Sequence, residues 1–160
     1  MSIDRVREYM KPFGLDGKIL EFETSSATVE LAARAAGVIP ARIAKSLSFM
    51  LPDGPALIVA AGDAKVDNPR FKAQFHVKAK MLGHDDVGAL IGHDVGGVCP
   101  FALNDGVRTY LDASLKRFDT VFPACGSANS AIELTCGQLE AAAQNFQGWV
   151  DVCKGWREEE

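Results

Sequence analysis

The segment that most restricts the fold is residues 41–61, "ARIAKSLSFMLPDGPALIVAA". Two strand-forming runs, 42–51 and 56–61, flank Pro-Asp-Gly-Pro, a composition that favours a tight turn and therefore a hairpin. Strands place alternate residues on opposite faces. One face of the first run then carries Ile43, Lys45, Leu47 and Phe49, and the other carries Ala44, Ser46, Ser48 and Met50. Lys45 sits in register with the oily residues. Two readings account for it. Its stem can lie on the core of an edge strand while the amine reaches water. Alternatively, the amine stands at the mouth of a pocket to meet a negative or carbonyl oxygen, with burial lowering its pKa and an anionic neighbour holding its charge.

Other stretches supply the remaining elements. "SIDRVREYMK" places Ile3, Val6 and Met10 at helical spacing and stops at Pro12. "KILEFE" (18–23) alternates as a strand, and "ATVELAARAAG" reads as a helix capped by Ser25 or Ser26 and ended by Gly37. A short helix is expected from Asn68-Pro69, a short strand around Val77, and another short helix between Gly83 and Gly92. "GVRTYLD", "FDTVFPA" and "AIELT" read as strands, "GQLEAAAQNF" as a helix and "WVDVC" as a last strand. Strands interspersed with helices and hairpins imply an α+β fold with a mixed or mainly antiparallel sheet. The regular alternation of a doubly wound sheet is absent. With 160 residues, 48% of them hydrophobic, and no repeat, low-complexity tract or linker, residues 1–160 read as one domain with a real core.

Several function classes are disfavoured. "ALIVAA" is too short to cross a bilayer, so no membrane partner is expected. "MSIDRVREYM" has charges where a signal peptide needs apolar residues, and the cytoplasm is the expected location. Cys99, Cys125, Cys136 and Cys153 form no C-x-x-C pair and have no histidine at ligand spacing, which favours free thiols. His84-Asp85 and His93-Asp94 lack the ligand count of a metal site, so neither metal nor organic cofactor is expected. Motifs for nucleophilic hydrolases, zinc proteases, P-loops and dinucleotide sites are absent. A net charge of −4 argues against a general nucleic-acid binder, DNA included. Between Lys65 and Lys80, however, Lys65, Arg70, Lys72, Lys78 and Lys80 face one acid, Asp67, making this window +4 and the remainder −8, with Glu158, Glu159 and Glu160 in the tail. The window is either a solvated face or a patch that meets phosphates.

Gly96-Gly97-Val98-Cys99-Pro100 permits positive φ at two positions and fixes it at the last. Such a loop can aim successive N–H groups at an oxyanion or phosphate, and an ordinary turn would read the same way. Cys99 within it is a small buried residue or, given a nearby base, a reactive thiol.

Taken in order, "TSSATVELAARAAGV", "IAKSLSF", "ALIVAAGDAKVD", "GGVCPF", "TYLDASL" and "ACGSANSAIELT" resemble the YbaK/ProX group of aminoacyl-tRNA deacylases, relatives of the editing domain inserted in bacterial prolyl-tRNA synthetase. The resemblance runs from about residue 20 to the end. It implies a compact domain with a curved mixed sheet surrounded by helices, and hydrolysis of mischarged tRNA without metal or cofactor. The family's strand lysine falls on Lys45, with Ser46 beside it. Its G-x-x-x-P loop falls on Gly96–Pro100, its late-strand aspartate on Asp112, and its glycine-serine segment on Gly126 and Ser127. Ser46 stands where relatives often carry threonine or asparagine, Cys99 where serine or threonine is common, and "CGSAN" where the alanine-editing branch has histidine-proline-leucine. The resemblance therefore implies a small amino acid, alanine or cysteine first, on proline tRNA. An aminoacyl-tRNA synthetase is a possible partner. A non-catalytic tRNA- or synthetase-binding module with the same fold is the alternative.

Overall fold

The computed structural model describes residues 2–157; the acidic tail Glu158–Glu160 lies outside the described residues. Helix α1 (Ser2–Met10) leads through 3-10 turns at Lys11–Phe13 and Asp16–Lys18 to β1 (Leu20–Glu21) and α2 (Val29–Ala36). Then come β2 (Ile43–Leu51), β3 (Gly54–Ala61), β4 (Lys65–Val66), α3 (Asn68–Phe75) and α4 (His84–Ile91). The second half holds β5 (Arg108–Asp112), a 3-10 segment Ala113–Arg117, β6 (Phe122–Pro123) and β7 (Ser130–Ala131). Helix α5 (Cys136–Ala142), β8 (Phe146–Val150) and β9 (Cys153–Lys154) close the chain.

The hairpin forms where its turn chemistry places it. β2 and β3 pair antiparallel from Ala44↔Ala61 to Leu51↔Gly54, leaving Pro52 and Asp53 as the loop, and Gly54 takes a φ of +120° that an L side chain resists. The hairpin is the centre of a five-stranded sheet in the order β6-β2-β3-β5-β8. Its other pairings, β2–β6, β3–β5 and β5–β8, are parallel, so the sheet is mixed; antiparallel ladders β1–β7 and β4–β9 lie apart from it. Ala56 to Ala61 of β3 are each 0% exposed, which explains an apolar run without polar alternation: both faces are covered. Val6 and Met10 of α1, Phe71 of α3 and Leu139 of α5 join the largest core cluster, with Phe49, Ile58, Leu111 and Ile132. Val87 and Ile91 of α4 close over Leu57 and Val107, and Ala32 and Ala33 of α2 dock on Ile43 and Phe122.

Several local expectations are adjusted by tertiary partners. "FDTVFPA" forms a strand only at Phe122–Pro123 and "AIELT" only at its first residue, in Ser130–Ala131; the helix expected from "GQLEAAAQNF" ends at Ala142, with Phe146 opening β8, and "WVDVC" is divided between β8 and β9. The strand expected over 18–23 shrinks to Leu20–Glu21, because only these residues find partners, Ala131 and Ser130. No strand forms at Val77; the chain reaches the sheet later, where Met81 bridges Phe49 and the Lys80 carbonyl accepts from Met50 N–H. Helix α2 is capped by Thr28, whose hydroxyl accepts from Leu31 N–H at 3.2 Å, instead of by Ser25 or Ser26. Ser25 turns to the Ala27 N–H, and Ser26 is left free for another use.

The edge of β2 away from β3 is divided. β6 covers it at Ile43 and Ala44, and residues 80–82 cover it at 48–50. Between them, Lys45, Ser46 and Leu47 have no strand neighbour on that side among the described residues. The bonds Met50 N–H to Lys80 and Leu82 N–H to Ser48 show that even-numbered residues turn their peptide groups to this edge. By the two-residue alternation, Ser46 turns its own N–H and C=O into the gap.

Asp112 anchors the sheet on the far side of β3, one residue past the Val59–Leu111 pair. It ends β5 fully buried, and its carboxylate accepts from Ser114 N–H and Val152 N–H, each at 3.0 Å. Asp112→Asn swaps one acceptor for an N–H donor against those amides and is expected to cost about 2 kcal/mol. The check is the urea midpoint at unchanged slope; a midpoint equal to wild type would contradict this anchoring.

Candidate functional site

A cavity of about 280 Å³ opens at the gap in the β2 edge. Its walls come from the residues leading into α2, from β2, from Met81 and Leu82, from Val87 of α4, from the 95–98 loop, and from the Phe122–Ala131 region. Most lining side chains are small or apolar, and Lys45 is the one charged residue among them. The size suits a small ligand.

Lys45 is half-buried, its stem rising from the β2 position paired with Ala60. Its amine donates to the carbonyls of Gly62 (3.3 Å) and Ala64 in the turn after β3. An ammonium has three N–H donors, so two carbonyls leave one for a ligand. Burial pushes the Lys45 pKa down from 10.5 and Lys65 adds to this, while Cys153, Asp63 and Glu30 pull it back up. The turn is itself braced: Arg117 holds the Asp63 carboxylate with two bonds, 2.6 and 3.0 Å, and the Ser114 hydroxyl accepts from Ala61 N–H at 3.0 Å.

The glycine loop forms the facing wall. Gly96, at φ +97°, and Val98 line the cavity. Gly97 N–H bonds the Asp94 carbonyl at 3.0 Å, whereas the N–H groups of Gly96 and Val98 have no hydrogen-bond partner among the described residues. Gly97 packs behind: a Cβ there would stand 2.6 Å from the Gly126 carbonyl carbon and 2.7 Å from Ser127 N, so only glycine lets the two segments meet. Two buried hydroxyl oxygens among the lining residues, Ser26 Oγ and Ser46 Oγ, also lack partners. Buried polar atoms are ordinarily satisfied, and a polar ligand would satisfy these.

Cys99 lies behind the wall, fully buried and 3.5 Å from His93 Nε2. The pair is not arranged as nucleophile and base. Burial pushes the thiol up to about 12. His93 Nε2 is 2.6 Å from the Phe101 carbonyl, so that nitrogen carries the proton, and Nδ1 accepts from the Ser2 hydroxyl. With Arg5 on the Gly92 carbonyl, this bond clamps the start of α1 to the loop.

Of the residues singled out from the sequence, the structure brings Lys45, Ser46, Gly96 and Val98 together on the cavity. Gly97, Cys99, Pro100 and Gly126 are buried behind it, and Ser127 shares a 2.7 Å hydroxyl bond with Ser130, which lines it. Asp112 is set back from the wall; it bonds the Cys153 thiol, which is pushed up to about 12 by burial and by Asp112, with Lys45 acting in the opposite direction. The basic window is split. Arg70 pairs with Asp67 and Asp151. Lys65, Lys72, Lys78 and Lys80 are exposed with no carboxylate within 4 Å among the described residues. His84 is exposed beside Asp85 at the start of α4. Sequence reasoning missed Ser26, Ser48, Met81 and Val95 as lining residues. The serine-rich "TSSAT" is the one available signal, and its serines read equally as helix caps.

Residues 23–142 match the family model of the aminoacyl-tRNA editing domain. The chain belongs to that family. It is 53% identical over 157 residues to the uncharacterized protein YwhH of Bacillus subtilis (strain 168), covering 98% of this chain and 99% of that one. Among solved structures, a candidate trans-editing enzyme for prolyl-tRNA synthetase superposes with a TM-score of 0.85 at 27% identity, covering 96% of this chain and 98% of that one. The hypothetical protein APE2540 does so with a TM-score of 0.83 at 26% identity, covering 94% and 99%. The editing-domain fold, with its mixed sheet and surrounding helices, is thus the fold of this chain. No helix among the described residues is long and apolar enough to cross a membrane.

The His93 clamp has a pH signature. Burial and Arg5 hold its pKa below 6.5, against the Phe101 bond and Asp94. The folded state then prefers neutral His93, so its contribution is complete above pH 6.5 and is lost as the pH falls through the lower folded value. His93→Gln is expected to flatten the decline in unfolding free energy below pH 6.5. Parallel stability curves for the two proteins would contradict the clamp.

Proposed function

We propose that this protein is a trans-editing hydrolase that removes a small wrong amino acid, alanine or cysteine, from tRNA, with proline tRNA the first candidate. The observation that carries this reading is one cavity lined by Lys45, whose amine keeps a spare N–H, and by Gly96 and Val98, whose N–H groups have no partner among the described residues, in a chain of the aminoacyl-tRNA editing family.

Water attacks the ester carbonyl, charge develops on the carbonyl oxygen, the acyl–oxygen bond breaks, and the ribose oxygen leaves as a hydroxyl carrying the proton. Stabilising that charge by fixed donors is the largest service a site can offer. The loop N–H groups take the scissile carbonyl region, and Lys45 holds the terminal ribose or phosphate and adds its charge. Among the described residues no histidine or carboxylate lines the cavity, and in this reading the water is activated by groups of the substrate itself, such as the free ribose hydroxyl, held close by the site. Ser46 and Ser26 offer hydroxyls to the amino acid's polar groups, and Gly97, Cys99, Pro100, Gly126, Ser127 and Asp112 support the wall from behind. The exposed lysines of the basic window meet the RNA. Such an enzyme is needed because one methylene separates amino acids by only about 1–3 kcal/mol in a synthetase pocket. It acts in the cytoplasm, free-standing or docked on a synthetase.

The lack of a protein base at the cavity also favours a second reading, a binding module that holds aminoacyl-tRNA without turnover. A panel of mischarged tRNAs incubated with wild type, Lys45→Ala and Lys45→Met separates the two. Wild type is expected to deacylate a small-residue substrate, and both variants to fall by about 100-fold or more in kcat/KM while remaining folded by circular dichroism. Tight binding with no hydrolysis above background would favour the module. Equal deacylation by all three proteins would remove Lys45 from catalysis.

A further inference from the structure

A second concavity, of about 520 Å³, lies beside α3, lined by Asn68, Pro69, Lys72, Lys78 and Ala79. Its two ammonium groups are exposed, and no carboxylate stands within 4 Å of either among the described residues. Arg70, on the same helix, is in contrast paired with Asp67 and Asp151. Two cations with no carboxylate partner, in a groove with no acid among its described lining residues, form a seat for an anion.

This groove is joined to the cavity by the chain itself. Lys78 and Ala79 line the groove, Met81 and Leu82 line the cavity, and the segment between is fixed to β2 through the Lys80 carbonyl and the Leu82 N–H. From Lys78 to Met81 the chain spans at most about 10 Å. Among the lining residues, Met81 is 57% exposed and Val95 50%, two large apolar side chains open to solvent at the cavity.

We propose that the 3′ strand of the RNA runs along residues 78–82, with backbone phosphates on Lys72 and Lys78 and the terminal base against Met81 and Val95. This rests on the reading of the cavity as the seat of an aminoacyl ester. With the aminoacyl group inside, the base attached to the same ribose must lie at the rim, where an apolar side chain can cover its face. The phosphates that precede it continue toward Lys72 and Lys78, which line the groove on that side, and contacts to phosphate position the strand without reading its sequence.

The experiment compares two substrates carrying the same amino acid, a mischarged tRNA and 3′-aminoacyl-adenosine, across wild type, Lys72→Gln/Lys78→Gln, Met81→Ser and Lys116→Gln. Lys116, stacked over Trp149 away from the cavity lining, controls for the loss of positive charge. For tRNA, the double variant is expected to raise KM about tenfold and to flatten the dependence of log KM on log salt by about 1.4 units, with KM for aminoacyl-adenosine unchanged. Met81→Ser is expected to raise KM for both substrates alike, and Lys116→Gln to alter neither. A double variant with wild-type KM and salt slope on tRNA, or a Met81→Ser variant with wild-type KM on aminoacyl-adenosine, would overturn the strand path while wild-type turnover keeps the cavity reading intact. Failure of wild type to cleave either substrate would instead overturn that reading.

Discussion

The free edge of β2 is the constraint on which the rest of the site depends. A strand this apolar, paired along its whole length on one side, would ordinarily be paired on the other or protected. Here β6 covers its first two residues and residues 80–82 cover its later ones. The stretch left open carries Lys45 and Ser46. The missing neighbour makes the cavity, and the peptide groups it would have bonded are turned toward whatever fills the space. A sheet with a continuous neighbour on that side would be the more ordinary arrangement, and it would have no site.

Lys45 can occupy this gap because the neighbouring turn offers carbonyls. Desolvation lowers its pKa, so the environment is costly to the charge, and two carbonyl oxygens recover part of that cost. Fixing the amine in this way also limits its rotamers, so the remaining N–H has a defined direction before substrate arrives. The Arg117–Asp63 pair and the Ser114 hydroxyl keep the carbonyls in place, although none of the three lines the cavity. The opposite wall is held by different means: His93 and Arg5 tie it to α1, and the absence of a side chain at Gly97 lets its loop lie backbone to backbone against Gly126 and Ser127.

What the sequence reveals here follows from how local each signal is. The hairpin, the anomaly of Lys45 and the helix stops at Gly37 and Gly92 depend on neighbours within a few residues, and all are readable in the chain. The loop at 96–100 is readable as a loop, but which of its residues face the cavity is not. Gly96 and Val98 do while Cys99 turns inward, because the buried His93 and Phe101 carbonyl receive the thiol side. Ser26 escaped notice because the choice among Ser25, Ser26 and Thr28 as helix cap depends on where α2 begins, which is set by Ala32 and Ala33 docking on Ile43 and Phe122. Met81 and Val95 escaped because an exposed apolar residue has no sequence signature. The strand expected near Val77 reflects the same limit: Val77 alone favours a strand, ahead of lysines and an alanine that do not, and the chain finds no ladder until Met81 meets Phe49.

The central claim is that the gap at Lys45 receives an aminoacyl ester with its carbonyl toward the glycine loop. A crystal structure of the protein with a non-hydrolysable 3′-amide analogue of alanyl-adenosine tests this most directly. The account expects the acyl group inside the cavity, its carbonyl oxygen within hydrogen-bond distance of Gly96 or Val98 N–H, and the Lys45 amine on the ribose or carbonyl oxygen. An analogue bound elsewhere, or seated with its carbonyl turned away from both Lys45 and the loop, would contradict it.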